Sequence, residues 1–135
     1  MIQTQSRIGM TTLLHTAYED ALKRVIEALK TEGFGVLTEI DMKDTFKKKL
    51  NVDFRPYKIL GACNPTSAHR ALTAAPEVGL LLPCNVTVIQ IEDDQIQVSV
   101  VDPLVMMSVV PNDTLNQIAQ EVRERLQRVI KSLEE

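Results

Sequence analysis

The chain has no tryptophan, two tyrosines, three phenylalanines and only two cysteines among its 135 residues. Two cysteines are too few for a scaffold that depends on several disulfides. The most apolar stretch, residues 78–82, is far shorter than the ~20 residues of a membrane-spanning helix. The N-terminus also lacks the basic flank and apolar run of a signal peptide, so we expect a cytoplasmic protein.

The chain also has no excess of positive charge. It carries 15 lysines and arginines against 18 aspartates and glutamates, a formal net charge of −3. Because nucleic acids and acidic membranes attract basic surfaces, we expect neither as a partner. The 44% of hydrophobic and 24% of charged residues are typical of soluble globular proteins, and the length predicts one domain over residues 1–135.

Catalytic motifs are absent as well. The sequence contains no G-x-S-x-G nucleophile motif, no H-E-x-x-H zinc motif and no Walker phosphate loop. The segment Gly33-Phe34-Gly35 lacks the third glycine of a dinucleotide-binding motif and follows a predicted helix. Whether the protein is an enzyme therefore stays open, and no cofactor is predicted.

The spacing of apolar residues predicts the fold class. Apolar residues recur every three or four positions over 18–29 and 115–133, which indicates an amphipathic helix near each end of the chain. Between them, residues 86–91 and 96–101 have the pattern of a β-hairpin, and 7–14 that of a first strand. These elements predict an α+β fold in which a single antiparallel or mixed sheet carries helices on one face, with short inserted helices.

The last predicted helix contains two pairs of opposite charges at helical spacing. Glu121 precedes Arg125 by four positions, and Glu124 precedes Arg128 by the same interval. Side chains four residues apart on a helix are neighbours, so we expect two ion pairs within this helix.

Both cysteines precede an asparagine and lie close to a proline, in Ala62-Cys63-Asn64-Pro65 and Pro83-Cys84-Asn85. We expect Asn64 to cap a helix whose first residue is Pro65, since proline suits that position. Cys63 would then lie directly before a helix, where a thiolate is stabilised. Cys84 would begin a strand.

Four segments together resemble domain-of-unknown-function family 302. They are Gly33-Phe34-Gly35-Val36, Asp53-Phe54-Arg55-Pro56-Tyr57, Gly61-Ala62-Cys63-Asn64-Pro65 and Leu81-Leu82-Pro83-Cys84-Asn85-Val86. The resemblance covers nearly the whole chain. It implies a TATA-binding-protein-like α+β fold of the form β-α-β(4)-α, a homodimer, and no established activity.

We expect the functional pocket where the Cys63 helix start meets the Cys84 strand start, with Asn64 and Asn85 as ligand-binding amides. In one hypothesis the protein is a binding or thiol module for a small molecule. In a second it is a redox or sulfur-transfer enzyme in which Cys63 is the nucleophile and Cys84 resolves the adduct. In a third it is a structural or interaction dimer without small-molecule chemistry, and the cysteines pack in the core.

Three further residues complete the list of candidates. His69 follows Cys63 on the same predicted helix, and with Cys63 and Cys84 it would be the third ligand of a zinc ion, although no metal is required by the sequence. Arg55 and Tyr57 are candidates for a polar ligand site, since arginine binds anions through two parallel hydrogen bonds.

Overall fold

The computed structural model describes residues 3–5 and 8–134. Their elements follow the order of the chain, and no described helix is long and apolar enough to cross a bilayer. The strands are β1 (Gln3–Gln5), β2 (Gly9–Leu14), β3 (Gly35–Asp41), β4 (Tyr57–Cys63), β5 (Cys84–Glu92) and β6 (Gln95–Val101). The helices are α1 (Tyr18–Thr31), α2 (Met42–Leu50), α3 (Pro65–Ala74), a 3₁₀ helix (Pro76–Leu81), α4 (Pro103–Met107) and α5 (Asp113–Leu133).

The six strands form one sheet in the order β1-β2-β6-β5-β4-β3. Every neighbouring pair is antiparallel, so of the two predicted sheet types the antiparallel one is correct. The predicted α+β class and the β5–β6 hairpin are confirmed. The strand predicted over 7–14 corresponds to β2, which begins at Gly9, and residue 7 lies outside the described residues.

The core lies between one face of this sheet and the two long helices. Along β6, Ile96, Val98 and Val100 are buried and alternate with half-buried residues, as expected when one face of a strand is covered. The buried stripe of α5, which includes Leu126 and Ile130, closes the core from the other side. The apolar periodicity therefore predicted the buried face of α5 correctly.

The start of α3 follows the prediction. The Asn64 side-chain oxygen accepts a hydrogen bond of 3.2 Å from the Ser67 backbone N–H, and Pro65 occupies the first turn. This bond satisfies one of the amide groups that a helix leaves without an internal partner. Asn64 thus fixes where β4 ends and α3 begins.

The predicted ion pairs within α5 are replaced by pairs with other elements. Arg70 of α3 binds Glu121 at 2.6 Å, and Arg128 binds Glu32 at 2.9 Å. Arg125 donates a 3.2 Å hydrogen bond to the Glu32 carbonyl oxygen. Because α3 and the end of α1 pack close to α5, their side chains compete successfully with partners one turn away on the same helix.

A β-bulge interrupts the pairing of β3 with β4. Val36 pairs with Ala62 and Thr38 pairs with Gly61, so Leu37 is the extra residue. Bulges redirect a side chain and are frequent next to binding sites. The Leu37 side chain is 67% exposed and lies at the end of the sheet where β4 meets α3.

Candidate functional site

A cavity of about 310 Å³ lies at the end of the sheet where β4 finishes and β5 begins. We call it the apolar cavity. Parts of α3, α4 and α5 and the segment 79–84 enclose it, and its walls include Phe34, Leu72, Pro103, Met107, Ile118 and Val122. Cys63, Asn64, Ser67 and Cys84 supply its few polar groups.

The cavity exists because small residues stand where larger ones would fill the space. Ala62, Ala68, Ala71 and Ala119 all line it. The four alanines belong to three elements, β4, α3 and α5. The exposed Leu37 and Leu72 in the lining show that the space opens to solvent.

The two cysteines contribute to the same cavity from adjacent strands. Cys84 is buried and pairs across the sheet with Ala62, the residue before Cys63. Cys63 is half-buried at the last position of β4. Both are free thiols, so the structure brings together the two residues at the centre of the predicted pocket without joining them covalently.

The surroundings of Cys84 keep its thiol protonated. Burial, and to a smaller extent the neighbouring Cys63, raise the pKa of Cys84 to about 11 from an ordinary value of 9.0. Desolvation disfavours the charged thiolate. Of the described residues that line the cavity, none carries a basic or acidic side chain that would take up the proton. Cys84 is therefore a weak nucleophile near neutral pH.

We expect this raised pKa to appear as a loss of stability at alkaline pH. The unfolded chain releases the Cys84 proton near pH 9 while the folded chain holds it to about pH 11, so the free energy of unfolding falls as pH rises through this window. The free energy of unfolding, measured with urea, should fall between pH 8 and pH 10.5 in both proteins. The fall should be about 2 kcal/mol larger in the natural protein than in Cys84→Ala.

The comparison with Cys84→Ala removes other alkaline effects. Burial also raises the pKa of Tyr18, but both proteins retain that side chain. Equal losses in the two proteins would contradict the raised pKa of Cys84.

Asn64 connects the cavity to the chain that surrounds it. Besides capping α3, its amide donates a long 3.5 Å hydrogen bond to the Glu32 carbonyl oxygen. Its side chain lines the cavity beside Cys63 and Ser67. One asparagine thus holds the end of α1, the start of α3 and the polar side of the cavity in a fixed arrangement.

The remaining candidate residues lie away from the apolar cavity. His69 is exposed on α3, and Asn85 is exposed on β5, where it pairs with Gly61. Arg55 is exposed and donates a 3.5 Å hydrogen bond to the Gln90 carbonyl oxygen, while the Tyr57 ring packs against Phe54 with ring centres 6.1 Å apart. The structure does not bring these four residues together with the cysteines.

The described residues contain no group of three or more His, Cys, Asp or Glu side chains placed to hold a metal ion. His69 does not line the apolar cavity with Cys63 and Cys84. A structural zinc ion takes four protein ligands, and two thiols supply only half of them. The geometry of this part of the chain therefore does not support the zinc site.

Sequence reasoning missed most of the cavity wall. The sequence patterns assign no role to Ala68, Ala71, Ala119 or Leu37, which all line the apolar cavity. The available signal was the small size of Ser67, Ala68 and Ala71, which lie on adjoining turns of α3. Small residues on a helix face are consistent with close packing or with a cavity, and only the position of α5 decides between them.

The fold and this site define an α+β protein with an antiparallel sheet and an apolar cavity at one end. Residues 10–133 match the family model described as "Domain of unknown function DUF302", and the chain belongs to this family. A solved structure of an uncharacterized conserved DUF302 protein from Bacillus stearothermophilus is similar, with a TM-score of 0.85 and 29% sequence identity. The match covers 95% of this chain and 99% of that one, whereas no curated protein matches the sequence.

Proposed function

We propose that this protein is a binding module for a small, largely apolar molecule, which it holds in the apolar cavity beside Cys63 and Cys84. The cavity itself carries the proposal, because its volume of about 310 Å³ falls within the range of small-molecule sites. Such sites combine apolar walls with a few polar groups that orient the ligand, and Cys63, Asn64 and Ser67 are available for that purpose.

Exposed leucines at the cavity support the same function. Leu37, on the β-bulge, is 67% exposed, and Leu72 of α3 is 40% exposed. Both contribute to the lining. An apolar molecule that enters here would remove their side chains from water, which favours binding in proportion to the apolar area covered.

Binding is better supported than thiol catalysis. A redox or sulfur-transfer enzyme needs a thiolate and a resolving thiol, and the pKa of Cys84 is raised to about 11. The described lining also lacks a histidine, lysine or arginine that would activate Cys63. The homodimer and the cytoplasmic location stay predictions.

We expect the neutral fluorescent probe N-phenyl-1-naphthylamine to bind the protein with saturation at one site. The replacement Ala68→Phe should weaken this binding by roughly tenfold or more, because the ring occupies space inside the cavity. Fluorescence titration measures both affinities. His69→Phe is the matched control, since it adds the same ring to the next residue of α3, where the side chain is exposed.

Two results would contradict the proposal. One is the absence of saturable probe binding to the natural protein. The other is an equal loss of affinity in Ala68→Phe and His69→Phe, since a probe that binds in the cavity responds only to the first replacement.

A further inference from the structure

A second, polar cavity of about 510 Å³ adjoins the apolar cavity at the start of α3. We call it the arginine cleft, because Arg70, Arg125 and Arg128 all line it. Asn64 and Ser67 line both cavities and therefore form the boundary between them. The two cavities therefore lie side by side, within reach of one molecule that has two chemically different ends.

The arginine cleft has one cation whose charge is not neutralised by a carboxylate. Arg70 is paired with Glu121 at 2.6 Å and Arg128 with Glu32 at 2.9 Å. Arg125 donates only to the Glu32 carbonyl oxygen at 3.2 Å, and no carboxylate of the described residues lies within ion-pair distance of it.

Three carboxylates surround the three guanidinium groups of the cleft, but only two of these carboxylates form ion pairs with them. Glu121 and Glu124 line the cleft, and Glu32 pairs with Arg128. Glu124 is exposed, whereas Arg125 is half-buried. Because partial burial strengthens electrostatic interactions, an anion gains more from Arg125 than it loses from the solvated Glu124.

Ser67 provides a second polar contact at the boundary. The residue is only 9% exposed, and its hydroxyl takes part in none of the hydrogen bonds within the described residues. Every fully buried polar side-chain atom of the described residues has a hydrogen-bond partner. Because the Ser67 hydroxyl has none, it is not fully buried and is open to the cavities that it lines. Buried hydroxyls are usually satisfied, and this one is free to donate to a ligand oxygen.

We propose that the ligand is amphipathic, with an apolar body in the apolar cavity and an anionic head, a carboxylate or a phosphate monoester, held by Ser67 and Arg125. This inference rests on the proposed function and extends it to a ligand class. A guanidinium presents donors in a planar arrangement that matches carboxylate and phosphate oxygens, and hydrogen bonds between charged groups are the stronger ones. The unpaired charge next to an apolar cavity thus selects against neutral and cationic molecules of the same length.

Isothermal titration calorimetry with four probes of equal chain length tests this. The probes are octanoate, octyl phosphate, octanol and octylammonium. We expect octanoate or octyl phosphate to bind at least about tenfold more tightly than octanol. One charge-assisted hydrogen bond to the anionic head would produce a difference of this size. Octylammonium should bind most weakly. The comparison of octanoate with octyl phosphate identifies which head group the cleft accepts.

Variants of the protein test whether Arg125 in the arginine cleft causes the preference for anionic probes. Arg125→Gln should reduce the preference for the anion to less than about threefold while leaving the affinity for octanol unchanged, and Arg125→Lys should retain most of it. Lys131→Gln, an exposed change of equal charge on the same helix, is the control. Should Arg125→Gln fail to fold, Ser67→Ala tests the same head-group contact and should lower the affinity for octanoate more than the affinity for octanol.

The outcomes separate the two proposals. Equal binding of octanoate, octyl phosphate and octanol would overturn the anionic head and leave the apolar binding function intact. A preference for octylammonium, or a preference for anions that survives in Arg125→Gln, would also overturn it. Failure of all four probes to bind would overturn both proposals.

Discussion

Gly61→Ala should lower the free energy of unfolding by about 3 kcal/mol, the upper end of the cost of adding atoms to a packed site. A Cβ at this position would lie 2.7 Å from Cγ of Pro83 and closer still to Oγ1 of Thr38. The exposed Thr38 side chain can rotate away, but Pro83 cannot withdraw easily, since it is a rigid ring and directly precedes Cys84. Urea unfolding measures the loss.

The same experiment has a control on the adjacent strand. Gly35 of β3 has no atom within 4 Å of an added Cβ, so Gly35→Ala should change stability by less than about 0.5 kcal/mol. Similar losses in the two variants would show that strand flexibility, and not the contact with Pro83 and Thr38, determines the effect at Gly61.

Leu126→Ala should lower the free energy of unfolding by about 3 to 4 kcal/mol. The side chain is completely buried in the middle of α5, within the core between that helix and the sheet. Its removal loses apolar burial and leaves a void that the close-packed neighbours fill only partly. Thermal and urea denaturation both measure this change.

Leu80 provides the matched leucine for comparison. Its side chain lies on the 3₁₀ helix and is 89% exposed. Leu80→Ala should therefore alter stability by less than about 0.5 kcal/mol. A loss above 2 kcal/mol in Leu80→Ala would mean that this exposed leucine is covered in solution, for instance by the predicted second subunit.

Local patterns in the sequence predicted the local structure. The stripe of apolar residues on α5 is buried as expected, and Asn64 with Pro65 begins α3 as expected. Both depend on residues within a few positions of one another, where helix geometry and capping chemistry determine the outcome. The β5–β6 hairpin belongs to the same group.

The candidate site was only partly predictable, because it depends on how distant elements pack. The sequence placed Cys63 and Cys84 at the ends of neighbouring elements, and both line the apolar cavity. The spacing pairs Arg125 with Glu121, because no local pattern reveals that Arg70 of α3 binds that carboxylate. A cavity is formed by residues that are far apart in the sequence, so the spacing of residues along the chain does not predict it.

The place of β2 in the sheet affects the order in which the protein can fold. β2 pairs with β6, and the Thr11 and Ser99 hydroxyls, 88 residues apart, form a hydrogen bond of 2.8 Å. Closing so long a loop is entropically costly, and a chain with such distant contacts folds slowly for its size. During synthesis, the edge of β2 that pairs with β6 therefore stays open until β6 has emerged from the ribosome.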